Sequence, residues 1–129
     1  MDDDRYRLDD FELYQAARAF RNKVYRLLKA LPPEEKYCLA TQMRRAAISI
    51  SNNIAEGHGR WKYPDNSRFC RIARGSLSEV IDDLNICLDQ HYDNPEAVMA
   101  LKDEGYTLIR RINGYIAYLS RTQSRNDKS

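Results

Sequence analysis

The amino-acid sequence predicts an all-α fold, an antiparallel up-down-up-down four-helix bundle made as one domain over residues 1–129. Three observations predict it. Apolar residues recur at spacings of three and four through four long stretches rich in Ala, Leu, Arg and Glu. Most of the five glycines and four prolines fall between those stretches, where such residues punctuate helices. No run alternates apolar and polar residues in the manner of a half-buried strand, and no internal repeat occurs.

The first helix is expected over about residues 10–30. In Leu8-Asp9-Asp10-Phe11-Glu12-Leu13, Asp9 is placed to cap, Glu12 to complete a capping box and Leu8 to staple onto Leu13. Leu13, Ala17, Phe20, Val24, Leu27 and Leu28 make its apolar stripe, and Leu31-Pro32-Pro33 ends it, because proline restricts the residue before it and cannot donate.

The second helix is expected over about 33–58. Pro33 stands in the first turn, with Glu34 and Glu35 near the positive end of the helix dipole. Leu39, Met43, Ala46, Ala47, Ile50 and Ile54 form its stripe, and Gly57 and Gly59 are expected to end it.

The third helix, about 66–91, starts at a cap supplied by Asp65 or Asn66. Its stripe is Phe69, Ile72, Ala73, Leu77, Val80, Leu84 and Leu88. Asn94-Pro95-Glu96 repeats the cap, proline and acid pattern for the fourth helix, about 95–121. That helix carries Val98, Leu101, Leu108, Ile109, Ile112, Ile116 and Leu119. The polar tail 122–129 is expected to fray. Short connections between helices of this length require antiparallel neighbours.

Composition narrows the function classes. No apolar run approaches the roughly 18–20 residues that cross a bilayer, and the N-terminus is acidic where a secretory leader would be basic and then apolar. Cys38, Cys70 and Cys87 are an odd set without CxxC spacing, so free thiols and a cytoplasmic location are expected. Charge is distributed unevenly. Residues 1–12 hold six acids against two arginines, residues 18–74 thirteen basic residues against four acids, and residues 79–104 eight acids against one lysine. A basic middle permits anion binding, while the plainer reading is a set of solvated helix faces.

A polar stripe runs inside the second and third helices. Arg45, Ser49, Asn53 and Glu56 stack on one face, and Arg71, Gly75 and Glu79 do the same on the next helix. Folding the hairpin about Lys62 pairs Arg45 with Glu79, Ser49 with Gly75 and Asn53 with Arg71, and puts Glu56 near Arg68 or Arg71. Gly75 is then expected to allow close backbone approach. Such a seam sets helix register, or alternatively forms a buried ligand site.

No catalytic, cofactor or metal site is expected. Neither His58 nor His91 has an acid three positions before it, as a di-metal bundle requires, and the cysteines lack a nearby His at a metal-binding spacing. Gly57-His58-Gly59 follows no strand and leads to no Gly-Lys-Ser/Thr. Basic residues interleaved with aromatics carry the chemical promise. Arg60-Trp61-Lys62-Tyr63, then Arg68, Arg71 and Arg74, join Arg18, Arg21, Lys23, Arg26 and Lys29 of the first helix as candidates for RNA or DNA contact. Cations hold phosphates, and Trp61 or Tyr63 can stack on bases. Equally, Trp61 can pack against a bundle end or a neighbouring subunit.

The run Gln42-Met43-Arg44-Arg45-Ala46-Ala47-Ile48-Ser49-Ile50 through Asn53-Ile54-Ala55-Glu56-Gly57, with Ile72-Ala73-Arg74-Gly75-Ser76-Leu77-Ser78-Glu79 and Phe11-Glu12-Leu13-Tyr14-Gln15-Ala16, resembles the four helix bundle protein family, also called 23S ribosomal RNA intervening-sequence proteins. The resemblance covers roughly residues 9–120. It departs from the family at Ser51, where proline is usual, so a straighter second helix is expected. An aromatic or small residue is also more usual where His58 stands. The resemblance implies a homopentameric bundle without enzyme activity. A distantly similar bundle, the accessory variability determinant of diversity-generating retroelements, binds nucleic acid and a reverse transcriptase.

These readings together lead to a non-enzymatic, oligomeric nucleic-acid-binding or accessory scaffold. The alternative is a protein–protein interaction module that binds no nucleic acid. Independently of the resemblance, the nine tyrosines and one tryptophan from Tyr6 to Tyr118 exceed what one small core can hold, which predicts a homo-oligomer.

Overall fold

The computed structural model describes residues 7–60 and 62–128, with side chains through Gln123. Four helices follow in chain order: α1 (Glu12–Leu28), α2 (Leu39–Arg60), α3 (Asp65–Asp89) and α4 (Pro95–Lys128). Two 3-10 turns, Leu8–Asp10 and Pro33–Glu35, precede α1 and α2, and there is no strand among the described residues.

The order of contacts shows that neighbours run antiparallel. Gln42, Ser49 and Gly57 of α2 meet Asp83, Ser76 and Asn66 of α3, ascending against descending. Asn66, Arg74 and Ile81 of α3 meet Tyr115, Asn113 and Gly105 of α4. Arg21 and Tyr25 of α1 meet Ser51 and Arg44 of α2, and Phe20 and Lys23 meet Gly105 and Glu104 of α4.

The apolar stripes turn inward to one core, in which Phe20, Met43, Ile50, Ile54, Leu77, Leu84 and Ile112 are almost wholly buried. Burial of each such side chain contributes about 1.5–3 kcal/mol. Ile72 departs from the expected stripe and is 42% exposed. The inner face is completed instead by Cys70, Ile81 and Cys87, because the stripe of a straight helix drifts by about 20° per seven residues.

The helix ends differ from the sequence expectation. Asp9 caps nothing: it lies in the 3-10 turn, and the N-cap of α1 is Phe11, which makes no side-chain cap bond. The Phe11 ring sits against His58 and Tyr115, so packing fixes the entry to α1. Pro33 opens a 3-10 turn, and α2 starts six residues later at Leu39. Neither Asp65 nor Asn66 caps α3. Pro64 takes that position, and the Asn66 amide donates to the Tyr115 hydroxyl at 2.9 Å.

Gly57 and Gly59 do not end α2, which runs through both to Arg60. A Cβ on Gly57 would stand 2.7 Å from Asn66 Oδ1 and 3.0 Å from its carbonyl oxygen, whereas a Cβ on Gly75 would meet nothing within 4 Å. The close approach of α2 and α3 therefore belongs to Gly57. The tail expected to fray is helical through Lys128, since no glycine or proline interrupts the chain after Gly114.

The expected cap of α4 is present: Asn94 Oδ1 accepts from Glu96 N at 2.8 Å. Ahead of it, α3 closes with Tyr92 N donating to Cys87 O and His91 N to Leu88 O. His91 stands there in the left-handed region, with φ 59. No helix of the described residues is long and apolar enough to cross a membrane.

Candidate nucleic-acid interface

The α2–α3 connection gathers one group of the predicted cations. Arg60 ends α2 and Arg68 starts α3, and their guanidinium carbons lie 5.2 and 4.4 Å from the centroid of Phe69. Cation–π contact holds both forks beside the same ring. Arg60 is also bound by carboxylates, Glu56 at 3.3 Å and Asp65 at 3.7 Å. Arg71 donates to Ser67 Oγ at 2.6 Å. Lys62 is exposed in the connection, and Trp61 lies outside the described residues.

The second group lies on α1, away from that connection. Arg21 donates to the buried Ser51 hydroxyl at 3.2 Å and to Asn22. Ser51 itself donates to Ile48 O, so Ser51 anchors α1 to α2. Arg18 is 4.0 Å from Asp9, and Lys23 pairs with Glu104 at 2.8 Å. Arg26 lines a cleft of about 380 Å³ between α1 and α4 with Lys23, Asp93 and Glu104.

On α2, Arg44 stands over the Tyr25 ring at 5.9 Å. Sequence reasoning left out Arg44 and Arg45 as surface candidates, although one signal was present. The only acids of α1 and α2 are Glu12 and Glu56, which lie at the same end of the hairpin. Among the described residues, Arg21, Arg26, Arg44 and Arg45 have no carboxylate within 4.0 Å.

The polar stripe is a half-exposed groove. Its closest contact is Ser49 Oγ to Ser76 Oγ at 2.7 Å, one residue beyond the expected partner Gly75. A shift of one residue turns a helix position by about 100°, which carries Gly75 and Glu79 outward. Arg45 and Glu79 line one pocket of about 220 Å³ with Gln42, Ala46, Ser49 and Ser76. They form no ion pair, since both are exposed and a hydrated pair at a surface gains little from closure. Asn53 donates to Ser49 rather than meeting Arg71, and Glu56 binds Arg60 rather than Arg68 or Arg71.

What sequence reasoning missed beside this groove is Asp83. It is fully buried, Oδ1 accepts from Gln42 Nε2 at 2.8 Å, and Oδ2 has no partner among the described residues. Burial, aided by Asp82 and Glu79, pushes its carboxyl up to about 6, against the Gln42 bond. The only hint in the sequence was an acid seven residues from Ser76, on the same face.

The buried thiols are chemically quiet. Burial pushes both Cys70 and Cys87 up to about 11, which keeps them protonated and poorly nucleophilic. Among the described residues, no group of three or more His, Cys, Asp or Glu is placed to hold a metal ion.

Residues 9–114 match the model of the family described as 23S rRNA-intervening sequence protein. Among solved structures, the chain is similar to a crystal structure from Bacteroides thetaiotaomicron, a protein with unknown function from the S23 ribosomal protein family. The TM-score is 0.74 at 20% identity, over 81% of this chain and 97% of that chain. At that identity the likeness shows a shared fold. No curated protein matches the chain.

Proposed function

This chain belongs to the 23S rRNA-intervening sequence protein family, and on that premise we propose that it is a non-enzymatic, homo-oligomeric scaffold that binds nucleic acid. The observation that carries the reading is the acid-free face of α1 and α2. Between Glu12 and Glu56 these two helices hold Arg18, Arg21, Lys23, Arg26, Arg44 and Arg45 and no carboxylate. Of these, Arg21, Arg26, Arg44 and Arg45 have no carboxylate within 4.0 Å among the described residues, and such cations release counterions when they meet phosphates, the chief source of sequence-independent affinity. The family name points to ribosomal RNA as the first polymer to test.

Assembly supports the reading through avidity, because several copies present one modest patch repeatedly. The exposed rings of Tyr25, Tyr37, Tyr106 and Tyr118 favour an interface between copies.

Fluorescence polarisation with labelled RNA and DNA, at about 50 and 200 mM salt, tests the proposal. The expected result is binding that weakens steeply with salt. No binding at the lower salt, or binding indifferent to salt, overturns it and leaves a protein–protein module as the surviving reading.

A further inference from the structure

The α3–α4 hairpin is polarised along its length. Residues 66–78 of α3 and 105–123 of α4 hold Arg68, Arg71, Arg74, Arg110, Arg111 and Arg121 without a single acid, while residues 79–104 hold eight acids and one lysine. The two arginine-bearing segments lie at the same end of the bundle, because Asn66 bonds Tyr115 and Arg74 bonds Asn113 across the helix pair.

Three of these arginines share one construction. Arg71 donates to Ser67 Oγ at 2.6 Å, Arg74 to Asn113 Oδ1 at 2.7 Å, and Arg110 to Thr107 Oγ1 at 3.0 Å. Each guanidinium is thus oriented by a neutral acceptor, and none has a carboxylate within 4.0 Å among the described residues. Arg74 bridges the two helices. Arg71 lies three residues before it on α3, and Arg110 three residues before Asn113 on α4, so both share the groove between the helices.

The positions that follow Arg74 and Asn113 are open. A Cβ on Gly75 or on Gly114 would meet nothing within 4 Å, so neither glycine is explained by helix packing. The acceptor oxygens of Ser67, Asn113 and Thr107 are engaged in orienting the arginines. The charge here is therefore held in fixed forks whose spare donors match phosphate oxygens.

We propose that the α3–α4 groove holds the phosphodiester backbone of a nucleic acid, with Arg71, Arg74 and Arg110 on phosphates and without reading base sequence. This rests on the nucleic-acid reading above and places contact on a surface other than the α1–α2 face. The acidic half of the hairpin limits the footprint, since the arginine-bearing half of α3 is only about 20 Å long at 1.5 Å per residue.

The test uses the full chain and two unrelated RNA and DNA sequences across a salt series. The double variant Arg74→Gln with Arg110→Gln should bind all of them about tenfold more weakly, with the log–log salt slope shallower by roughly 1–2. Arg74→Lys with Arg110→Lys keeps the charge and should retain most of the affinity, which separates lost binding from lost folding. Unchanged affinity in the Gln variant, with wild-type binding still salt-dependent, overturns the groove and leaves the nucleic-acid reading standing. Marked preference for one sequence overturns backbone readout. No binding by the wild type overturns both. A Gln variant with a lower assembled mass and unaltered nucleic-acid affinity assigns the groove to a neighbouring copy's acidic half and also overturns the proposal.

Discussion

Asp83 shows how one buried group couples the fold to pH. Its carboxyl rises from 3.8 to about 6 on folding, chiefly by burial. An acid with a raised folded value holds its proton more tightly when folded. It costs nothing below the unfolded value and imposes its full penalty above the folded one, so stability falls as pH rises from about 4 to 6 and beyond. Between pH 5 and 8 this group alone should remove about 1–1.5 kcal/mol, read from urea denaturation at the two values. Asp83→Asn should raise stability at pH 8 by about 1–3 kcal/mol and remove that slope. A variant no more stable than wild type at pH 8 refutes the assignment. His91 offers a second measurement. It occupies the left-handed position that closes α3, where glycine is usual and side chains are strained. His91→Gly should stabilise by about 0.5–1 kcal/mol in thermal melts.

At the scale of the elements, the α2–α3 hairpin concentrates the packing. Gly57 lets α2 and the start of α3 approach so closely that a methyl group would overlap Asn66 side chain and backbone. Gly57→Ala should cost about 1–3 kcal/mol, whereas Gly75→Ala, with open space around it, should gain up to about 1 kcal/mol. Chemical denaturation of the pair reads both signs, and equal effects would contradict the packing described. Arg45 and Glu79 flank the same hairpin without pairing. Each replaced by Ala should change stability by less than about 0.5 kcal/mol, and a double-mutant cycle should show negligible coupling.

The whole molecule carries its charges in separate regions, basic on α1, α2 and one half of the α3–α4 hairpin and acidic on the other half. Such complementary regions suit a heterologous contact between copies, the kind of contact from which rings are built when its rotation closes. Light scattering behind size exclusion should therefore report a mass above the 15.1 kDa of one chain, and five times that value if the copies form the pentamer that the resemblance implies. A mass near one chain at micromolar concentration refutes assembly. High salt should shift the distribution toward smaller species if the charged regions drive it.

Four helices were legible because apolar periodicity is local, and Leu13 to Leu28 or Val98 to Leu119 announce their inner face without any partner. The cap at Asn94 was legible for the same reason, needing only the next two residues. The caps at Asp9 and Asp65 were not, since Phe11 and Asn66 are held by residues from other helices, His58 and Tyr115. The sequence by itself therefore determined the helical content, the core stripes and the uneven distribution of charge, all of which depend on neighbours within a turn or two. Tertiary structure alone decided the register of α2 on α3. A one-residue change there rotates every facing side chain by about 100°. That rotation opened the Arg45–Glu79 pair and brought Ser49 to Ser76, and packing in the same interface buried Asp83. The bond from Arg74 to Asn113 was likewise undecided until α3 and α4 packed, because no spacing along the chain shows which residues of two helices will meet.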